Sequence, residues 1–481
     1  MTSNIMRSFF KRALMLLMVG TMLTGQGCTK GPDSQTIAAS QPQELKIWAV
    51  IDDADQFMPL IQAYQQAHPH ITISYKRFRL EEYEDVLLNY MAEDRGPDIF
   101  LIHNTWVGKY QSKIVPMPAY TQMVYKFVTG SVTSRKETLE LRNEKSVTLR
   151  DLKERYPDTV YKDVTRRINT AEPGQPTFYE DKIFALPISV DTLAMYVNKD
   201  MLNAAGIPTI PTSWDRFQAT MNRLVKVDTN GEILQAGAAM GEADNVERAS
   251  DLLSALMMQN LTQMVDEYGN PTFALLPEAL SGTRNELPSV QALRFYMDFS
   301  NENKNVYSWN SSMPNSFDAF VQGRLAYFFG YSYHLPLIKA RAPKLNLAIS
   351  KLPQIDGNQV VNYANYWVWT VSKKSKYPET AWNFINYLAQ PDNEKAFLDA
   401  AKRPPANKAL IEDYLEDEEL GVFASQILTA QSWYRGADAD AAEQAMLDLI
   451  NEAKLQPEEK WQSLMRVTQE KVAQTLMSKE Y

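Results

Sequence analysis

The chain has 481 residues, with 49 Lys and Arg against 58 Asp and Glu, four histidines and a single cysteine, Cys28. The acidic balance argues against nucleic acid and against direct binding to anionic lipid, and one cysteine excludes an internal disulfide. Stability therefore rests on packing, and the length is enough for two or three domains, each with its own core.

Arg7, Lys11 and Arg12 make a basic start, and Ala13 to Thr24 is an apolar run too short for a permanent membrane span. Small residues then lead to Gly27 and Cys28. Residues 1–27 resemble a bacterial lipoprotein signal peptide, which implies a lipid on Cys28 and an exported protein anchored to the cell membrane. Gly25 and Gln26 depart from the usual box, which leaves ordinary signal cleavage or a retained anchor helix open. Removing residues 1–27 takes away three cations and moves the formal charge from −9 to −12. Residues 28–43 are polar and aperiodic and read as a flexible tether.

An α/β pattern follows. Residues 45–50 ("LKIWAV"), 71–75 ("ITISY") and 98–102 ("DIFLI") read as strands. Between them lie two helices, one with Phe57, Leu60, Ile61 and Tyr64 on one side, the other with Tyr83, Val86, Leu87 and Tyr90 at helical spacing. The alternation predicts a parallel sheet with right-handed crossovers. Residues 121–180, rich in Lys, Arg, Glu and Thr, read as a less regular surface elaboration with one helical piece near "LRDLKERYPD". Residues 182–202 predict two strands and a helix entry, and Thr212 or Ser213 caps a helix carrying Trp214, Phe217, Met221 and Leu224. Helices are expected near 247–267, 289–300 and 316–322. Residues 323–339 resume strand then helix, strands recur at 345–353 and 366–374, and the chain from Pro378 onward is mostly helical.

The ordered set "GPDIFLIHNTW", "YEDKIFALPISVDTLAMYVNKDML", "IPTSWDRF", "SFDAFVQGRLAYFFGYSY", "AWNFINYLAQPDNEKAF" and "KRPPAN" resembles the extracellular solute-binding proteins of sugar ABC transporters, the maltose-binding-protein group. The resemblance covers roughly 44–480 apart from 121–180. It implies an α/β, two-lobed periplasmic-binding-protein fold with discontinuous lobes, a hinge and an inter-lobe cleft. Lobe one would be 44–186 plus 323–371, and lobe two 187–322 plus 372–481. The implied partners are a carbohydrate and the permease subunits of an importer, with the protein a monomer, no cofactor and no chemistry of its own.

A sugar needs flat aromatic surfaces for its C–H faces and short polar groups for its hydroxyls. Asp52 and Asp53 follow the first strand, where open sheets bind ligands, although helix capping and dipole interaction by Asp53 or Asp55 compete equally with that reading. Asn104 and Trp106 follow the third strand, and Trp106 resembles the family's cleft tryptophan, with lobe core as the competing place; His103 reads as packed or surface. Tyr331 and Tyr333 lie in a loop that carries a cleft aromatic in the family. Tyr363, Tyr366 and Trp367, in "YANYWVW", are more aromatics than one alternating strand turns inward. Trp433 and Tyr434 resemble the late cleft aromatic or pack under the terminal helix, with Arg435 beside them. The loop 237–245 can feed Glu242 toward a ligand, and it is no phosphate loop because no Lys-Ser/Thr follows its glycines. No residue set suggests a metal site. A receptor for a polyol phosphate or a peptide, a secreted glycosidase with paired carboxylates, and a surface adhesin remain open.

Overall fold

The computed structural model describes residues 33–129, 135–172 and 174–477. Residues 1–27, expected to be an export signal, and Cys28 lie outside the described residues. The chain divides into two compact units, one of 1–41 and 124–142, the other of 42–123 and 143–481.

In the smaller unit the expected tether is partly ordered. Ser34–Ala39 is helical because Asp33 caps it, accepting the Thr36 N–H at 2.7 Å. Tyr120–Thr129 and Lys136–Lys145 pair as a two-stranded ribbon, where the Arg142 guanidinium lies about 5 Å from the Tyr125 and Phe127 rings. In the larger unit, the helices Leu149–Arg155 and Asp158–Val164 and a second ribbon, Thr165–Asn169 with Tyr179–Ile183, complete the region expected to be irregular. Lys136–Lys145 and Thr165–Asn169 escape a hydrophobic reading because a strand of a two-stranded ribbon need not have a buried face, so they carry charge in place of an apolar alternation.

The larger unit holds two main sheets. Their strands are β1 (Gln43–Ala49), β2 (Ile71–Arg77), β3 (Ile99–His103), β4 (Ala194–Asn198), β5 (Ile233–Ala238), β6 (Leu325–Gly330), β7 (Leu347–Lys351) and β8 (Trp367–Val371). The first sheet runs β8-β3-β1-β2, with β1 parallel to β2 and β3 and β8 antiparallel to β3. The helix Ala54–Ala67 buries Phe57, Leu60, Ile61 and Tyr64, the face its spacing predicts. The helix Leu80–Ala92 instead buries Tyr83, Leu87 and Met91, so the apolar stripe is rotated and Tyr90 faces out.

The second sheet runs Lys226–Val227, β5, β6, β4, β7. Every residue of β4 and β6 is buried, as expected for strands covered on both faces. The helices Ala249–Gln259, Pro288–Asp298, Ala439–Leu455 and Trp461–Gln474 pack together beside this sheet.

The lobes are therefore cut differently from the expected division. Residues 323–371 do not return to the first lobe as a block, because β6 and β7 both bond to β4 and only β8 joins β3. Nor does 372–481 belong wholly to the second: Pro378–Leu388 packs on β8, and Pro391–Ala401 packs on Ala54–Ala67. An all-apolar strand such as "LAYFFG" fits either sheet by pattern, and only its partner decides.

Three short strands join the lobes. Asp191–Thr192, Asn362–Asn365 and Ala430–Gln431 lie where the chain passes from one sheet to the other. They bond to one another, Asn362 beside Ala430 and Asn365 opposite Asp191. Among the described residues no helix is long and apolar enough to cross a membrane.

Candidate ligand cleft

A cleft of about 740 Å³ is lined by β3 and β8 of the first sheet and the chain around them, by loops and helices of the second lobe, and by the linking strand Asn362–Asn365. Trp106, Trp367, Tyr333, Tyr363, Trp433 and Tyr434 all line it. The Trp106 ring stacks on Tyr110 at 6.1 Å and meets Trp367 edge-on at 5.6 Å. Tyr333 stacks between Tyr331 at 5.9 Å and His334 at 4.1 Å. Trp433 is fixed by its indole N–H, which donates to Ser254 Oγ at 3.2 Å, and Tyr434 by its hydroxyl, which donates to the Thr475 carbonyl at 2.9 Å.

The other expected contacts are placed elsewhere. Asp53 is exposed at the start of its helix, where Gln56 Oε1 accepts its N–H and Arg77 pairs with its carboxylate at 2.7 Å. Capping, the competing explanation, describes it. Glu242 is buried against Lys454 at 2.7 Å, away from the cleft. Asp52 pairs with Arg403 at 3.3 Å and faces, with Tyr366, a smaller neighbouring cavity of about 70 Å³. Burial raises the Asp52 carboxyl above its usual range, and Arg403 opposes that shift. Tyr331 lies wholly behind the wall, its hydroxyl donating to Asp251 Oδ2 at 2.6 Å.

Asn104, Tyr366 and Arg435 share one partner, the fully buried carboxylate of Asp163. Its Oδ2 accepts from Asn104 Nδ2 at 3.0 Å, Tyr366 OH at 2.7 Å and Ser432 Oγ at 2.5 Å, and its Oδ1 from Arg435 Nε at 3.0 Å. Three of those donors stand one or two residues before Trp106, Trp367 and Trp433 in the sequence. Asp163 thus sets three cleft tryptophans without touching the cleft.

Sequence reasoning missed the polar wall. Glu247, Arg248, Ser250 and Asp251 line the cleft at the start of the helix Ala249–Gln259, a few residues after the loop expected to supply Glu242. Arg248 holds Asp251 through two bonds, at 2.8 and 3.0 Å, and lies 3.5 Å from Glu443. It does so with φ at +56°, a conformation that costs a non-glycine residue about 1–2 kcal/mol; Ile51, also in the cleft wall, has φ at +68°. Burial raises the Glu443 carboxyl, opposed by Arg248. The short i to i+3 Arg–Asp spacing was the available signal, but on its own it reads as a solvated helix start.

His103 forms part of the cleft floor. Asn365 Oδ1 accepts from its Nε2 at 3.1 Å, and its Nδ1 takes the Thr105 hydroxyl proton at 2.8 Å. Burial pulls its pKa down to about 4, so it is neutral at neutral pH. Arg403 is positioned by the loop after it: Ser189 Oγ donates to the Pro404 carbonyl at 2.7 Å, and Glu394 Oε1 accepts the N–H groups of Ala406 and Asn407. Burial pushes the Glu394 carboxyl up to about 8. Among the described residues no group of His, Cys, Asp and Glu is arranged to hold a metal ion.

Asp163→Ala removes the acceptor shared by four donors and leaves the half-buried Arg435 without its carboxylate. Urea denaturation is expected to show a loss of about 3–5 kcal/mol; a loss below about 1 kcal/mol contradicts the central role given to this carboxylate. His103 supplies a second expectation. Its folded pKa lies below the unfolded value near 6.5, so the unfolded chain takes up the proton first. The stability that rests on neutral His103 is complete above pH 6.5 and is lost as pH falls toward 4. The difference in Tm between wild type and His103→Asn should therefore shrink over that interval, and a constant difference contradicts the assignment.

Residues 59–421 match the family described as bacterial extracellular solute-binding protein. A protein named as a binding protein in Brucella abortus is 24% identical over 260 residues, covering 53% of this chain and 59% of the relative. The matched part of the chain thus spans about three fifths of that relative's length. The multiple sugar-binding protein of Streptococcus mutans is 21% identical over 234 residues, 48% of this chain and 53% of the relative. Among solved structures, a cyclo/maltodextrin-binding protein complexed with maltotetraose aligns with a TM-score of 0.64 at 15% identity, covering 91% of this chain and 99% of the other. A Thermotoga lettingae ABC-transporter solute-binding protein bound with α-D-tagatose aligns at 0.63 and 16%, covering 90% and 100%. The solved structures share this chain's fold, and the chain belongs to the family of bacterial extracellular solute-binding proteins.

Proposed function

We propose that this protein is the substrate-binding component of an ABC importer, which captures a carbohydrate, an oligosaccharide rather than one sugar ring, and delivers it to membrane permease subunits. The observation that carries the reading is a cleft of about 740 Å³ with indole and phenol rings on both lobes and strands of a linking sheet at its base. Such rings match the C–H faces of pyranoses, while Asn365, Ser250 and Thr105 offer short polar groups to hydroxyls. The names of relatives that bind maltotetraose, mannotriose and acarbose support the same class.

A phosphate ligand fits less well, because the cations near the cleft are engaged: Arg403 with Asp52, Arg248 with Asp251, Arg435 with Asp163. Capture proceeds without chemistry. The lobes close about the linking strands, bury the ligand and present a joint surface to the permease.

A thermal-shift screen against mono- and oligosaccharides, with phosphorylated sugars and peptides as controls, tests this. A saccharide at a hundred times its Kd should stabilise the protein by about 2.7 kcal/mol. Trp106→Ala should weaken that saccharide at least about tenfold. Stabilisation by peptides or phosphates alone overturns the carbohydrate assignment.

Lipidation of Cys28 and a monomeric, membrane-held receptor complete the proposal. Cys28→Ala should move the protein from the membrane fraction to the soluble exported fraction. Unchanged membrane retention refutes an anchor on Cys28.

A further inference from the structure

Resting on the carbohydrate reading, the charge of the cleft narrows the ligand further. Seven carboxylate side chains line the cavity, against two guanidiniums. The cations do not balance them. Arg248 is shared between Asp251 and Glu443, Arg403 is turned to Asp52, and Lys109, just behind Trp106, is shared between Glu84 and Asp440.

A second observation is independent of the charge. Tyr363, on the linking strand, is only 8% exposed and lines the cleft, yet its hydroxyl has no hydrogen-bond partner among the described residues. Burial raises its pKa, and Asp251, Arg248 and Glu443 are its nearest charged neighbours, so it stands at the Arg248 cluster. The hydroxyl opens onto the cleft with no protein group among the described residues to compete for it, and so is free to bond whatever enters. Glu443, half-exposed on the facing helix, likewise has an oxygen open to the cleft. Its Oε1 accepts from Ser250 Oγ at 3.0 Å and faces Arg248 at 3.5 Å, while Oε2 has no donor among the described residues. Asp251 differs, since Tyr331 and Arg248 already occupy both of its oxygens. At the rim, exposed Glu81 and Asp85 have no ion-pair partner among the described residues.

We infer that the saccharide taken by this cleft carries a protonated amine, as an amino sugar does, with Glu443 Oε2 accepting from the ammonium and the Tyr363 hydroxyl bonding beside it. The tryptophan and tyrosine faces take the sugar ring and add cation–π attraction for an amine near them. Glu81 and Asp85 steer the cation inward over a distance that salt shortens.

Titration calorimetry on the full protein tests this with four sets of probes: glucosamine and galactosamine with their β-1,4-linked glucosamine disaccharide, the N-acetylated forms, the neutral glucose counterparts, and spermidine. The expected result is amine-bearing sugar bound at least about tenfold more tightly than its acetylated and neutral counterparts. Glu443→Gln should erase that preference, so that the amine-bearing sugar binds no more tightly than its neutral counterpart. Asp85→Asn, at an exposed site that cannot disturb folding, should lower amine affinity and its salt dependence. Equal or tighter binding of neutral or acetylated sugar overturns the amine assignment and leaves the carbohydrate receptor standing. Binding of spermidine alone overturns both. Failure of every amine-bearing sugar to bind overturns the amine assignment.

Discussion

A carboxylate taken out of water must find its partners inside the protein, and Asp163 finds four that come from three separate stretches of chain. The chain after β3, the segment entering β8 and the segment after the third lobe crossing must converge on one short helix for its charge to be satisfied. Because Asn104, Tyr366 and Ser432 each precede a cleft tryptophan, satisfying this charge places three rings at once. The close approach of backbone at Gly108, where an added Cβ would stand 2.4 Å from the Gly436 carbonyl oxygen, belongs to the same convergence. The aromatic wall is thus a consequence of buried electrostatics two residues away.

The linking sheet imposes the second constraint. Three crossings, each bonded to a neighbour, leave the lobes fewer relative arrangements than three free linkers would. Asp191, in one crossing, accepts the N–H and hydroxyl of Ser332, so the loop carrying Tyr333 is tied directly to the hinge. Burial raises the Asp191 carboxyl, and the Ser332 bonds oppose that shift. Tyr363 and Asn365 project from the same sheet into the cleft, which makes the hinge part of the binding surface.

How much of this could be read in the sequence depends on how local its cause is. The helix Ala54–Ala67 was legible from Phe57, Leu60, Ile61 and Tyr64 because a helix needs only its own spacing. The pairing of β6 with β4 was not, because a wholly buried strand shows no face. The same distinction separates the site residues. Trp106, Tyr333, Tyr363, Trp367, Trp433 and Tyr434 were legible as large aromatics at strand ends or in loops, and all line the cleft. Asn104, Tyr366 and Arg435 were read as contacts but serve Asp163, a residue that nothing local distinguishes from any other helical aspartate. Arg248, Asp251 and Glu443 lie on two helices nearly two hundred residues apart, and only the packed fold brings them together.

That packing also decides which charges remain available to a ligand. An anion entering the cleft would have to compete for Arg248 or Arg403, and taking a guanidinium from its carboxylate strands a buried charge, a loss of about 3–5 kcal/mol for each pair broken. A cation meets no such obstacle, because among the described residues Glu443 has an oxygen without a donor and the rim carboxylates Glu81 and Asp85 have no ion-pair partner. A neutral saccharide meets neither, and would leave the Tyr363 hydroxyl and the Glu443 oxygen to whatever hydroxyls its geometry brings near. The selectivity of the cleft therefore follows less from the number of charges around it than from which of them the fold has already spent on itself.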